Sequence, residues 1–294
     1  MNQGTSHLAL DDNHSHSQIV RRIPRYAQVL ELGCGDGSMS RLIRERCEGH
    51  IIGIDHNPDI VWQAQRYCDY VFTEDLDDPH SLDALEGEKF DAITLVDVLE
   101  HLQRPDDLLR RLKPLLLDEG KILISIPNIA HASVRLELLN GHFDYEKAGI
   151  LDSTHLKFFT AESVQTLLVE AGYAVHELDY TWHDLPDEVI ARYLKKAGLE
   201  PTPQALAKFH EPDAMAYQFI ISSSPIVEEK ALAAHFPAAM LKPIDASWQT
   251  WGRMHTELAM AHAELERVYS TRSWQMLRRG ATAWRSIQSR FTLE

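Results

Sequence analysis

Cysteine is scarce in this 294-residue chain, which has three residues of that type, Cys34, Cys47 and Cys68. So small and odd a number excludes a disulfide framework, and no Cys-x-x-Cys spacing suggests a structural zinc site. A reducing, cytoplasmic setting is the expectation. Long apolar runs are missing too: no stretch of about 18 uninterrupted apolar residues occurs, so no membrane-spanning helix is expected. The start, Met1 to Ser17, is polar and rich in histidine, without the apolar core of a secretory signal. Positive charge is in short supply. Lys and Arg total 29 against 44 Asp and Glu, and the resulting charge of −15 repels nucleic-acid phosphate, so no nucleic-acid partner is expected. What is present is ordinary globular material, 44% hydrophobic and 25% charged, enough for a sizeable core.

Between residues 28 and 126 short apolar runs alternate with helical patterns. Strands are read at Gln28 to Leu32, His50 to Ile54, Tyr70 to Thr73, Phe90 to Val96 and Lys121 to Ile126. Met39, Leu42, Ile43 and Cys47 mark a helix with Gly49 as its stop. Leu108, Leu109, Leu112 and Leu115 to Leu117 mark another that Gly120 ends. Strands and helices in alternation predict an α/β fold with a doubly wound, mainly parallel sheet. The long segment Pro127 to Phe159 holds aromatic and histidine residues with little periodicity, as expected of a loop covering a site. A helix from about Ala161 to Ala171 comes next, with Thr160 as N-cap and Gly172 as stop. Tyr173 to Thr181 and Ala216 to Ile221 then read as an antiparallel edge pair, separated by a helical insertion at about 184–212.

Ser222 to Ser224, Pro225, Pro237 and Pro243 place a domain boundary near 225 and a linker at 226–247. A helical tail is expected over 248–294. In it Trp251, Met254, Leu258, Ala261, Leu265 and Val268 form a short coiled-coil seam, and the arginines from Arg272 onward make a basic amphipathic segment. That tail suits a protein partner, the inner face of a membrane, or packing on the main domain.

The residues that carry chemistry begin at Val29-Leu30-Glu31-Leu32-Gly33-Cys34-Gly35-Asp36-Gly37, an apolar strand entering a glycine-rich turn and then a helix. Small residues there admit a ligand to the backbone, and the helix start offers unpaired N–H groups. Asp55, with His56 beside it, closes the second strand 18 positions after Gly37, where a carboxylate accepts two ribose hydroxyls. Asp75, beside Leu76, comes after the third strand and suits an adenine amino group. Asp97, beside Val98, comes after the fourth. Together these acids suit a ligand with a cationic amino-acid portion, a ribose and a base.

On these residues the chain resembles the class I S-adenosylmethionine-dependent methyltransferases. The matching motifs are Glu31 to Gly37, Gly53-Ile54-Asp55, Asp75, Phe90-Asp91 leading to Asp97-Val98-Leu99-Glu100-His101-Leu102, and Leu112-Lys113-Pro114 through Gly120. The resemblance spans roughly residues 14 to 223 and implies a seven-stranded sheet. It assigns the methionine end of S-adenosylmethionine to Glu31, Gly33 and Gly35, the ribose to Asp55 and the adenine to Asp75. Ser125 to His131 and Gly149 to Thr160 are similar to methyltransferase modules of bacterial surface-polysaccharide assembly, as is Tyr269 to Arg278. That similarity implies a sugar, glycan or related small-molecule acceptor and leaves a homo-oligomer open.

A sulfonium is already activated, so methyl displacement depends mainly on holding the nucleophile close. A hydroxyl nucleophile also benefits from a base, for which His155, His131 and His101 are the candidates; each equally suits a histidine that bonds a loop into place. Asp97, Glu100 and His101 share one face of a helical turn, and with His155 they form a set able to hold a divalent ion. Similar clusters bind metal in ubiquinone-pathway and small-RNA O-methyltransferases. This chain has Asp97 where those have Glu, and many relatives use Leu-Glu-His only to line the cofactor pocket, so no metal is assigned. His14-Ser15-His16-Ser17 reads either as a cap over the cofactor's carboxylate or as a lead-in with Ser17 as N-cap. Two other readings stand beside the leading one. The turn and Asp55 also suit an NAD-dependent oxidoreductase, though the chain has no Tyr-x-x-x-Lys pair. A non-catalytic scaffold working through the helical tail is the other.

Overall fold

The computed structural model describes residues 11–226; the linker and helical tail expected beyond them lie outside the described residues. The strands are β1 Gln28–Leu32, β2 His50–Asp55, β3 Tyr70–Thr73, β4 Phe90–Val96, β5 Leu116–Pro127, β6 Tyr173–Trp182 and β7 Ala216–Pro225. Described helices are α1 Ser15–Val20, α2 Ser38–Cys47, α3 Pro58–Val61, α4 Pro105–Leu112, α5 Ala132–Leu139, α6 Ala161–Glu170, α7 Asp187–Lys196, α8 Pro203–Ala207 and α9 Pro212–Met215.

The strands form one seven-stranded sheet in the order β3-β2-β1-β4-β5-β7-β6. The first five run parallel, and β7 runs antiparallel to both neighbours, so the reversed strand lies one in from the edge that β6 forms. From β1 the chain steps outward to β2 and β3, then returns to place β4 on the other side of β1. Ligands of such sheets bind at that reversal, beyond the carboxyl ends of the strands.

The central strands are buried on both faces, which is why they read as continuous apolar runs. Val29, Leu30 and Leu32 of β1 and Ile93 and Leu95 of β4 have no exposed surface. On one face α1 and α2 supply Ile19, Val20, Met39 and Ile43 against Val29 and Ile51. Thr160 caps α6 as expected: its hydroxyl accepts from the Ser163 N–H, and the Ser163 hydroxyl accepts from the Thr160 N–H.

Three local expectations are corrected. Helix α2 ends on Glu48 in the left-handed region (φ 52), while Gly49 is required because a Cβ there would strike the Ala27 carbonyl. The helix over Leu108 stops at Leu112, since Pro114 cannot continue it; Leu116 to Gly120 belong to β5, and a Cβ on Gly120 would lie 2.7 Å from the Phe90 carbonyl oxygen. Ser17 lies buried inside α1, whose cap is His14, with Nδ1 accepting from the His16 N–H at 3.2 Å.

Candidate active site

The tip of β1 builds the first half of the site. Gly33, Gly35 and Gly37 all have positive φ, at 71°, 50° and 83°. A Cβ on Gly33 would lie 2.7 Å from Val98 Cγ2, and one on Gly37 would lie 2.7 Å from the Ala64 backbone, so neither position tolerates a side chain. The turn is tied to β2: the Gly33 and Cys34 N–H groups donate to the Ile54 carbonyl at 2.8 and 3.1 Å. Asp55, almost fully buried, accepts from the Gly35 N–H at 2.8 Å on Oδ2 and from the Asn57 N–H at 2.9 Å on Oδ1. Its neighbour His56 is largely exposed, with Nδ1 3.7 Å from Asp55 Oδ1. Cys34 is buried under the turn, where burial pushes its thiol up and leaves it an inert small side chain.

Asp75 lies two residues past Thr73, which pairs with Asp55, so it projects from the same end of the sheet. It is exposed, and its Oδ1 accepts from the Asp77 N–H at 2.9 Å, while Leu76 behind it is buried. Asp97 and Val98 come directly after β4, against the Gly33 turn, with Asp97 in the left-handed region at φ 54. The acids expected to surround one ligand therefore converge at the carboxyl ends of β1 to β4.

Glu31 lies beneath the turn, 2% exposed, and accepts from the Ser40 hydroxyl at 2.6 Å. Burial pushes its carboxyl up to about 8, against the Ser40 hydrogen bond, which draws it down. The folded chain thus holds a proton that the unfolded chain releases near 4.5. This group's contribution is fully favourable below 4.5 and is lost as pH rises from there through about 8. Glu31→Gln is therefore expected to flatten the fall in stability between pH 5 and pH 9, read by urea unfolding at several pH values; an unchanged slope contradicts the assignment.

A second cluster faces the loop after β5. Glu100, His101 and His155 each place a ligand atom within 4.8 Å of the others. Glu100 is 1% exposed and neither carboxylate oxygen has a hydrogen-bond partner among the described residues. Burial, then the charge of Asp97, raises its pKa well above the usual carboxylate range. Its backbone carbonyl accepts from the Leu156 and Lys157 N–H groups at 2.8 and 3.0 Å, fixing the loop. His155 Nδ1 bonds the Ile150 carbonyl at 3.0 Å, and His101 Nδ1 lies 3.3 Å from the Thr154 carbonyl and 3.2 Å from its hydroxyl. With Nδ1 of each ring engaged, Nε2 is the nitrogen for which no hydrogen bond is found among the described residues. Burial, then His155, holds the His101 pKa below the ordinary histidine value, so its lone pair is available near neutral pH. Phe158 stands 6.3 Å from the His155 ring, with Phe143 and Tyr145 beyond it.

The remaining expected residues fall elsewhere. Asp97 is not in the ligand cluster; its Oδ1 accepts from Ser125 Oγ and Gln218 Nε2, each at 2.8 Å. His131 is fully buried, its Nδ1 accepting from the Ser133 N–H at 3.2 Å as the cap of α5 and its Nε2 bonded to the His183 carbonyl at 2.9 Å. Burial pushes its pKa down to about 4, and both nitrogens are engaged, the arrangement of a histidine that bonds a loop into place. His131→Ala is expected to destabilise the fold by about 2–4 kcal/mol, from a lost cap and a buried hydrogen bond, without weakening nucleoside binding. Urea unfolding with calorimetry checks both halves. His16 lies near Asp36 and Asp97. The sequence reading missed Ser40, Ser125 and Gln218; Gln218 contacts Asp97 across 121 residues, which no local pattern signals.

The family described as "Methyltransferase domain" matches residues 9–178. A ubiquinone biosynthesis O-methyltransferase of Xanthomonas axonopodis pv. citri is 29% identical over 131 residues, covering 42% of this chain and 53% of that protein. A bifunctional methionine biosynthesis protein, MetXA/MetW, of Rhodopirellula baltica is 26% identical over 183 residues, covering 56% of this chain and 28% of that protein. The chain spans about half the length of the ubiquinone-pathway relatives. Among solved structures, a SAM-dependent methyltransferase from Archaeoglobus fulgidus is similar at 19% identity and a TM-score of 0.49, covering 70% of this chain and 88% of that one. Magnesium protoporphyrin IX methyltransferase from Synechocystis, with bound SAH, is similar at 16% identity and a TM-score of 0.46, covering 73% and 83%. With more than half of its length matched by that family, and the glycine turn and acids in place, the chain belongs to the methyltransferase domain family, of the class I, S-adenosylmethionine-dependent type.

Proposed function

We propose that this chain transfers a methyl group from S-adenosylmethionine to a hydroxyl oxygen on a ring-shaped small molecule. The observation that carries the oxygen acceptor is the Glu100, His101 and His155 cluster, where a buried carboxyl group without a hydrogen-bond partner among the described residues meets two imidazoles, each with Nδ1 engaged. Bound S-adenosylmethionine supplies an activated methyl: the carbon–sulfur bond breaks, an oxygen–carbon bond forms, and neutral S-adenosylhomocysteine leaves. The Gly33 to Gly37 turn admits the methionine end, Asp55 orients the ribose, and Asp75 meets the adenine. His155 Nε2, with His101 beside it, takes the hydroxyl proton, and the Ile150 carbonyl bonded to Nδ1 stabilises the imidazolium that results. Phe143, Tyr145 and Phe158 offer an aromatic wall for the acceptor ring.

A sugar or glycan intermediate is the finer reading, supported by the resemblance carried in Ser125 to His131 and Gly149 to Thr160. Curated relatives named for O-methylation in ubiquinone biosynthesis support oxygen as the accepting atom. The low cysteine content supports a cytoplasmic setting, and no helix among the described residues is long and apolar enough to cross a membrane.

The cluster also fits a divalent ion. Glu100 would supply a carboxylate oxygen, and His101 and His155 their Nε2 atoms, with Nδ1 of each ring held by a carbonyl as metal-binding histidines require. Such an ion, when bound, supplies Lewis-acid stabilisation of the acceptor alkoxide.

The test incubates the protein with methyl-labelled cofactor and fractionated extracts, with and without nucleotide sugars, lipid-linked glycans and simple vicinal diphenols. Mass spectrometry then locates the label. A labelled O-methyl product supports the proposal, and label on nitrogen or carbon overturns it. Loss of transfer on chelation, restored by added divalent ion, supports the ion-assisted form; transfer unchanged by chelation, with no ion found by metal analysis, removes it.

A further inference from the structure

We propose that Gln218 and Ser125 are positioning residues for the cofactor and act through Asp97; the inference rests on the S-adenosylmethionine reading above. Asp97 sits at the strand-order reversal, beside Val98, which packs on the Gly33 turn. Its left-handed backbone, φ 54, is strained for a residue with a side chain, and such strain persists only where the surroundings over-determine it. The surroundings here are specific. The Asp97 N–H donates to both the carbonyl and the hydroxyl oxygen of Ser125, each at 3.2 Å. The Ser125 hydroxyl and the Gln218 amide then both donate to Oδ1 at 2.8 Å. Oδ2 is left without a donor among the described residues, yet its direction is fixed.

A carboxylate pinned by one oxygen, with no donor on the other among the described residues and next in sequence to Val98, which packs on the Gly33 turn, suits the cationic amino-acid end of the cofactor. The same clamp explains why Asp97 stands outside the Glu100, His101 and His155 cluster. Neither donor is needed to hold the sheet together. Gln218 is already paired through its backbone with Pro127 of β5 and Thr181 of β6, and Ser125 with Val96 of β4 and Ile220 of β7. Among the described residues, the side-chain hydrogen bonds of Ser125 and Gln218 are made with Asp97 alone. The antiparallel strand thus contributes to a pocket otherwise built from the parallel strands.

The experiment measures S-adenosylhomocysteine binding by calorimetry, steady-state kinetics and thermal unfolding on the full chain. Gln218→Met removes the donor and keeps the length; Ser125→Ala removes the hydroxyl. Each is expected to weaken binding about tenfold, the usual effect of losing a hydrogen bond to a charged group. The cofactor KM rises in step, and the acceptor KM is unchanged. Ser125→Thr, which restores the hydroxyl, recovers binding. In an Asp97→Ala background, Gln218→Met causes no further loss, because its effect passes through Asp97. Wild-type affinity in Gln218→Met and Ser125→Ala overturns the proposal, as does a loss that adds in full to that of Asp97→Ala. Failure of the wild-type chain to bind S-adenosylhomocysteine strikes the cofactor reading itself.

Discussion

Asp55→Ala is expected to lower affinity for S-adenosylhomocysteine by about a hundredfold, near 3 kcal/mol, the scale of losing a charged acceptor that serves more than one donor. The carboxylate has two duties. One oxygen holds the Gly35 N–H and the other the Asn57 N–H, so it fastens the glycine turn to the end of β2 before any ligand arrives. Its remaining lone pairs are the acceptors that the proposed function gives to the ribose hydroxyls. Removing it loosens the turn and deletes the acceptors together. The fold survives, because the strand-to-strand bonds from Gly33 and Cys34 to the Ile54 carbonyl remain. Asp55→Asn separates the duties: its amide nitrogen must face one of two backbone N–H groups, so part of the turn is lost with little change in size. Calorimetry beside thermal unfolding reads both. Binding of Asp55→Ala within twofold of wild type would remove Asp55 from the cofactor site.

His155→Ala is expected to slow methyl transfer by about 10²–10⁴-fold, the range for a lost proton acceptor, and Glu100→Gln to slow it through loss of the carboxyl group beside both imidazoles, each with S-adenosylhomocysteine affinity within threefold of wild type. The two variants differ in stability. Glu100 has no hydrogen-bond partner among the described residues to lose, and its charged form is disfavoured by burial, so the neutral amide leaves stability unchanged or raises it. His155 holds the Ile150 carbonyl, so His155→Ala loosens the loop that carries it. Normal turnover in Glu100→Gln, or a Glu100→Gln protein that is destabilised by several kcal/mol, would make the cluster a structural feature. Single-turnover measurements at saturating cofactor isolate the chemical step.

Much of this site was legible because its signals are local. Glu31 to Gly37 announces itself as an apolar strand broken by three glycines, and the positive φ at each is the conformation for which glycine is suited. Asp55, Asp75 and Asp97 each lie at or just beyond the end of an apolar run, and parallel strands deliver their C-terminal residues to one end of the sheet. Where the reading slipped, short-range signals competed. Gly49 and Gly120 look like helix stops, but each is small because another segment's carbonyl lies against it. His131 and His155 occupy similar loop positions in sequence. Only their surroundings separate a ring with both nitrogens engaged from one with a single nitrogen engaged among the described residues.

By itself the sequence determined the alternation of strands and helices, the glycine turn and the order of acids, because backbone conformation and apolar periodicity are short-range properties. The tertiary structure alone decided that β7 lies between β5 and β6, bringing Gln218 onto Asp97, and that Glu100 is buried, without a hydrogen-bond partner among the described residues, beside His101 and His155. Those features depend on which distant segments share a surface, and desolvation and hydrogen-bond geometry exist only once the chain has packed.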